Sequence, residues 1–425
     1  MPKHDALLTS VKAVQNWVED IRAADHTRVE PGSLATSSAW ALSDGRIRHA
    51  SARYFSLVGL EWMDDGVLQR QPFIEQREIG TLGFIARPRG GSLDLLVHAK
   101  AEPGNVGIVQ LAPTCQATAS NRDRVHGGGL PPFSSYFDNI EGDILSDTLQ
   151  SEHGSRFLGK RNRNIFVVDD VDADGPLHRW IPLELFKTLL GIDFLVNTDA
   201  RSVLCCTNWR VLSARGHGDR SDFGSALRAS VEREPRPEIF QEALARLDRL
   251  KQAAPTVERR PIENLSGWTF NANDAVTMTN DRLTLRHIRV HCATRETHEW
   301  DQPILHTLEE QIVELLCRSR DGVLEFAFRP QWEPGLVSGA ELGPTFFRRP
   351  AEPITQGIIR ARVRQSDEGG RFYRTTTDYR IVEITQTADE DQFLWVRLSE
   401  VQAAMPAGIF NNEARSALSV ILAHL

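Results

Sequence analysis

Apolar residues fall into two periods along this chain. Leu7, Val11, Val14, Trp17, Val18 and Ile21 recur at helical spacing, which predicts an amphipathic helix over 5–24. Short apolar runs follow at 82–85, 93–97, 108–111 and 165–168, broken by glycine, proline and charges as strands are. The segments 183–190 and 199–206 read as short helices. From 216 to 260 the composition shifts to charges, alanine and proline. Phe240, Leu244, Leu247 and Leu250 there predict a helix with a charged outer face. A last helix is expected at the end of the chain, capped by Asn411 or Asn412, with Glu413 near the positive end of its dipole. Strands come first and helices late in each half, so the fold class is α+β.

The pattern also repeats. Gln71-Pro72 returns as Gln302-Pro303, Glu102-Pro103-Gly104 as Glu333-Pro334-Gly335, and Pro113-Thr114 as Pro344-Thr345, each 231 positions on (302 − 71, 333 − 102, 344 − 113). After a shorter loop the offset is 215, matching Gln150-Ser151 with Gln365-Ser366, Arg156-Phe157 with Arg371-Phe372, and Trp180 with Trp395. Asn197 and Ala200-Arg201-Ser202 reappear 214 on, as Asn411 and Ala414-Arg415-Ser416. A nearly constant offset with small deletions marks an internal duplication, not a short-period solenoid. The organisation expected is an N-terminal helical arm (1–30), a first repeat (31–215), a linker with a helix (216–260) and a second repeat (261–425).

Composition narrows the function classes. The 425 residues are 41% hydrophobic and 25% charged, ordinary for a globular protein. A net charge of −8 argues against nucleic acid or an anionic membrane as main partner. Five cysteines without a CxxC pair point to a reduced protein, and no stretch resembles a signal peptide or membrane span, so a cytoplasmic location is expected. His287 and His291 lie in a strand-like stretch where four-residue spacing separates them too far to share a metal. The run Gly127-Gly128-Gly129 lacks the ending of a phosphate loop, and no serine sits in a nucleophile elbow.

Three first-half segments are dense in polar groups: 100–107, 116–129 and 150–164. The last contains Lys160-Arg161-Asn162-Arg163, where strand alternation puts Arg161 and Arg163 on one face, an arrangement suited to gripping a diphosphate. The second half has lost that cluster (Arg371-Phe372-Tyr373-Arg374-Thr375-Thr376-Thr377) and has no counterpart of the loop around His126. The first copy is therefore expected to be the active one.

The motifs Glu102–Gly107, Gln110–Thr114, Gln116–Thr118, Ser120-Asn121, Arg124-Val125-His126-Gly127-Gly128, Gln150-Ser151-Glu152 and Lys160–Asn164 resemble those of the NDP-hexose 2,3-dehydratases. So do Asn197–Ser202 and Glu368-Gly369-Gly370-Arg371-Phe372-Tyr373, and the likeness covers nearly the whole chain. The resemblance implies two Nudix-like halves without the Glu-rich Nudix box, a homodimer, and a place in deoxysugar biosynthesis upstream of a 3-ketoreductase. It also implies a substrate that is a nucleotide-linked 4-keto-6-deoxyglucose, usually the dTDP form. Elimination of the C2 hydroxyl after loss of the C3 proton requires no redox cofactor or metal. His126 is the first choice for proton transfer because imidazole titrates near neutrality. Glu152 is the alternative base, and Lys160 faces the oxyanion or the phosphates. Arg124, Arg156, Arg161 and Arg163 are expected on the diphosphate, Asn121 and Asn162 on sugar hydroxyls, and Gln150 among the substrate contacts. Arg371 and Tyr373 are assigned to a nucleotide site in the second copy. A nucleotide-sugar epimerase and a non-catalytic nucleotide-sugar binding protein are the alternatives.

Overall fold

The computed structural model describes residues 7–123, 129–172, 175–212, 219, 221–385 and 392–425. It is mixed α+β, and its sheets carry most of the chain. The first half builds a seven-stranded sheet in the order Asp143–Ser151, Arg161–Val168, Gly80–Arg89, Ser92–Ala101, His178–Pro182. Val109–Ala112 and Cys115–Ala117 add to the two middle strands of the Gly80–Ala101 hairpin. The second half builds another in the same spatial order, from Ile358–Ser366 through Thr376–Glu383, Gln311–Arg320 and Val323–Trp332, with Leu394–Val396, Ala340–Gly343 and Phe346–Arg348 in the matching places. In each sheet the one parallel ladder joins equivalent strands, Arg161–Val168 with Gly80–Arg89 and Thr376–Glu383 with Gln311–Arg320. The matched strands keep the offsets of the repeated motifs.

Each half adds an antiparallel meander. In the first it is Trp40–Ser43, Arg46–His49, Ser56–Asp64 and Val67–Glu75. In the second it is Thr269–Phe270, Val276–Thr279, Leu283–His291 and Glu299–Thr307. The strands that precede the meanders are exchanged. Arg28–Pro31 pairs with Leu283–His291 of the second half, and Glu258–Arg260 pairs with Ser56–Asp64 of the first.

Two helices fall within the expected linker, Asp222–Glu232 and Pro237–Gln252, and both pack on Val323–Trp332. Pro237–Gln252 buries Ala243 and Leu247 against Val323–Trp332 and Ala340–Gly343. Val11–Asp25 does the same with Val14, Trp17, Val18 and Ile21 against Ser92–Ala101 and Val109–Ala112. The charged outer face was legible in the sequence. The sheet under the inner face was not, because its residues lie far along the chain from the helix. One apolar cluster runs through both halves, from Val14 to Leu425.

The repeated motifs sit at the junction of the halves. Helices Thr198–Cys205 and Asn412–Ile421 start alike, with Asn197 and Asn411 each accepting a 2.9 Å bond from the backbone N–H three residues on. The two helices cross, and fully buried Arg201 and Arg415 each reach a serine of the opposite helix, Ser419 at 3.3 Å and Ser202 at 3.0 Å. Their remaining N–H groups go to backbone carbonyls, Leu190 and Val196 for Arg201, Phe410 and Ser151 for Arg415. That satisfies each buried cation without a carboxylate.

The repeated Glu-Pro-Gly has a steric cause. Gly104 N–H donates to Gly369 O, and Gly335 N–H to Gly154 O, both at 2.8 Å. A Cβ on Gly104 would lie 1.8 Å from Phe372 O, and one on Gly335 1.8 Å from Phe157 O. Gly335→Ala must therefore push two backbone segments apart. The expected cost is about 3 kcal/mol, the upper end for overpacking, read by urea denaturation; an unchanged midpoint would refute the close-approach explanation.

Candidate active site

A cavity of about 510 Å³ opens where the two halves meet, a size typical of a small-molecule site. First-half strands carry Lys100, Gln116 and Asn162 onto its wall, the turn before Arg161–Val168 carries Glu152 and Lys160, and the helix Thr198–Cys205 carries Asp199 near its N-terminus. The second half contributes Arg295, Trp300 and Gln302 from one hairpin, and Glu368, Gly370 and Arg371 from the Gly-x-Arg-Phe loop. Trp40, Tyr54, Phe55 and Trp300 provide an aromatic wall.

Glu152 is held by two amides. Asn162 Nδ2 donates to Oε1 at 2.6 Å, and Asn412 Nδ2, from the second half, donates to Oε2 at 3.1 Å. Asn162 is itself fixed because its Oδ1 accepts Gly80 N–H at 3.1 Å; a Cβ at residue 80 would fall 2.5 Å from that oxygen. Strand pairing of Arg161–Val168 with Gly80–Arg89 thus sets the carboxylate's direction.

Lys160 Nζ donates to Glu78 O at 2.7 Å, and burial lowers its pKa from the usual lysine value. Lys100 donates to Glu102 Oε1 at 2.8 Å, and Gln116 Nε2 reaches the same oxygen at 2.9 Å. Arg371 lies 4.1 Å over the Phe55 ring, and its buried Nε has no partner among the described residues. Arg295 donates to Ala101 O at 3.2 Å and lies 3.3 Å from Glu296. The loop that carries it is tied down by buried Asp25, which accepts Thr294 N–H at 3.0 Å.

Of the residues singled out in the sequence, Glu152, Lys160, Asn121, Asn162 and Arg371 line this cavity. Arg371 was assigned to a separate second-copy site, but the crossing of the loops delivers it to the first-half cavity. Its companion Tyr373 is turned away, packed against His306 and Arg286. Arg161 and Arg163 do share a face, but it is the face opposite Asn162. Arg163 is bound to Asp147 at 2.6 and 2.8 Å, and neither arginine lines the cavity. Arg156 is buried in an ion pair with Asp367 at 2.9 Å, and Gln150 donates to Met405 O. His287 is bonded to Asp301 at 2.6 Å.

His126 and Arg124 fall within 124–128, outside the described residues. The residues on either side are described. Asn121 lines the cavity, and Gly129 N–H donates to the backbone oxygen of Glu296, also a lining residue. Sequence reasoning missed Lys100, Asp199, Arg295 and Glu368 as site residues. Asp199 and Glu368 stood inside motifs already noted, whereas Arg295 had no signal beyond its charge.

Among the described residues, no helix is long and apolar enough to cross a membrane. A family model described as NDP-hexose 2,3-dehydratase matches residues 11–207 and 243–421, one block in each half. Three curated relatives carry the name dTDP-4-dehydro-6-deoxy-alpha-D-glucopyranose 2,3-dehydratase. The protein of Streptomyces violaceoruber is 30% identical over 97% of this chain and 97% of its own length. That of Amycolatopsis orientalis is 30% identical over 98% and 91%, and that of Saccharopolyspora spinosa is 31% identical over 87% and 82%. With the match running through both halves and through the residues that build the cavity, the chain belongs to the NDP-hexose 2,3-dehydratase family.

Proposed function

We propose that this protein eliminates water across C2 and C3 of an NDP-4-keto-6-deoxyglucose, probe substrate the dTDP form, to give the 3,4-diketo-2,6-dideoxy sugar. The reading is carried by Glu152, a carboxylate aimed by two amides, beside Lys160 on the wall of a cavity between the halves. The C4 ketone acidifies the C3 hydrogen. Glu152 takes that proton, and the electron pair passes to the C4 oxygen, where Lys160 faces the developing negative charge; one such donor is typically worth roughly 10²–10³ in rate. The pair then returns to form C2=C3 as the C2 hydroxyl leaves, and the resulting enol ketonises. His126 is kept as a proton carrier from the motif that follows the lining residue Asn121.

Arg295 and Arg371 replace Arg161 and Arg163 as the diphosphate ligands in this reading, and the aromatic wall receives the base. The two halves represent a Nudix-like duplication, each unit beginning at its helix, Val11–Asp25 or Pro237–Gln252. The homodimer, the cytoplasmic location and the downstream 3-ketoreductase complete the picture drawn from the family.

Incubating the protein with dTDP-4-keto-6-deoxyglucose and a trapping ketoreductase tests the function. A product lighter by one water supports it. An isomer of equal mass would favour an epimerase, and binding without turnover a carrier protein. Arg371→Ala is expected to raise KM about 10–100-fold, as loss of a charge-assisted contact of roughly 1.5–3 kcal/mol should, with kcat changed far less. An unchanged KM would remove Arg371 from the diphosphate site.

A further inference from the structure

The two halves place charged side chains at equivalent positions with opposite outcomes. His153 Nδ1 of the first half and Glu413 Oε1 of the second are 2.8 Å apart, both buried. Position 153 corresponds to 368 (153 + 215), and position 413 to 199 (413 − 214). There the scaffold holds two carboxyls, Glu368 and Asp199, and both line the cavity. Glu368 Oε1 accepts Gly370 N–H at 3.0 Å, while its enclosed Oε2 has no partner among the described residues. Carboxyls gathered on one enclosed wall, with Glu152 and Glu102 beside them, do not all ionise, so the group retains a proton. The neighbours agree. Burial raises Asp199 well above the ordinary range, helped by Glu152, Glu102 and Glu368, with Lys100 opposing. Burial, then Glu102, lifts Glu368 to about 7 against the pull of Arg371 and Lys100, and Glu152 adds to the rise.

We propose that Asp199 and Glu368 form a proton-holding carboxyl pair across the two halves, and that this pair protonates the hydroxyl leaving C2. The proposal rests on the dehydratase reading. The C2–O bond breaks with its electrons going to oxygen, the pair's proton joins that oxygen, and water departs. The pair is left with one proton fewer and recovers it from solvent, to which Glu152 releases the proton taken from C3. Ketonisation of the enol releases a proton from O3 and places one on C2, which closes the balance.

Glu368→Gln and Asp199→Asn test this by two readouts in D₂O, water loss and deuterium uptake at C3. Each variant is expected to lose water about 10²–10⁴ more slowly, the effect of a missing acid, while C3 exchange and dTDP affinity stay within a few-fold. The double variant should be little slower than the worse single one, because the pair acts as a unit. Exchange that falls in step with elimination, additive losses, or near-normal elimination in either single variant would overturn the pair's role while leaving the dehydratase reading intact. Wild-type protein that neither exchanges C3 nor releases water would overturn that reading, and the pair's role with it.

Discussion

Glu152→Gln is expected to slow elimination by about 10²–10⁴ and to remove deuterium exchange at C3 by the same factor. The substitution keeps the shape that Asn162 and Asn412 grip, and it removes only the ability to take a proton. KM for the dTDP sugar should move by no more than a few-fold, since the cationic side chains that meet the diphosphate are untouched. Both rates falling together separates a base from the acid pair, whose loss leaves exchange running. Exchange that continues at the wild-type rate in Glu152→Gln would take the carboxylate out of the first step, and His126→Asn would then be the variant to test.

The logic of the site was partly legible in the sequence. The offsets of 231 and 215 relate strands in the same places of two sheets, and 214 relates two helices; repeated motifs such as Glu102-Pro103-Gly104 mark backbone contacts that admit no Cβ. Lys160 and Asn162 stand out because the second copy has lost their cluster, whereas Glu152 keeps an acidic counterpart, Asp367, and stands out only through its motif. What stayed hidden is the crossing. The Glu-Pro-Gly loop of each half docks on the Gly-x-Arg-Phe loop of the other, so Glu368 and Arg371 belong to the first half's cavity. A one-dimensional comparison assigns such residues to the copy that contains them. Alternation correctly put Arg161 and Arg163 on one face, yet it carries no information about which face meets the cavity, and Asn162 has the inner one. The expected helix of the linker is present as Pro237–Gln252, but its narrow apolar stripe shows that a partner exists without saying where.

At the positions equivalent to 368 and 199 the buried His153–Glu413 pair lies off the cavity wall, and its charge should show in the pH dependence of stability. Burial disfavours a charged His153, but the Glu413 carboxylate at 2.8 Å, with Asp367 behind it, outweighs burial and lifts the imidazole from 6.5 to about 9, against the nearby Arg156. A folded-state pKa above the unfolded value means stability fully present below about pH 6.5 and lost as pH rises toward 9. At 1.36 kcal/mol per unit the window spans on the order of 3 kcal/mol. Urea melts of the wild type at pH 6 and pH 9 should differ by that order. His153→Gln should flatten this part of the profile and destabilise the protein at pH 6 by about 3–5 kcal/mol, because it leaves buried Glu413 without its cation. The folded fraction should keep kcat within a few-fold, since neither His153 nor Glu413 lines the cavity. Equal stability at the two pH values would show that the imidazole is neutral in the fold. The contrast with positions 368 and 199 would then lose its physical basis, because it depends on one copy neutralising the pair that the other copy leaves as two acids.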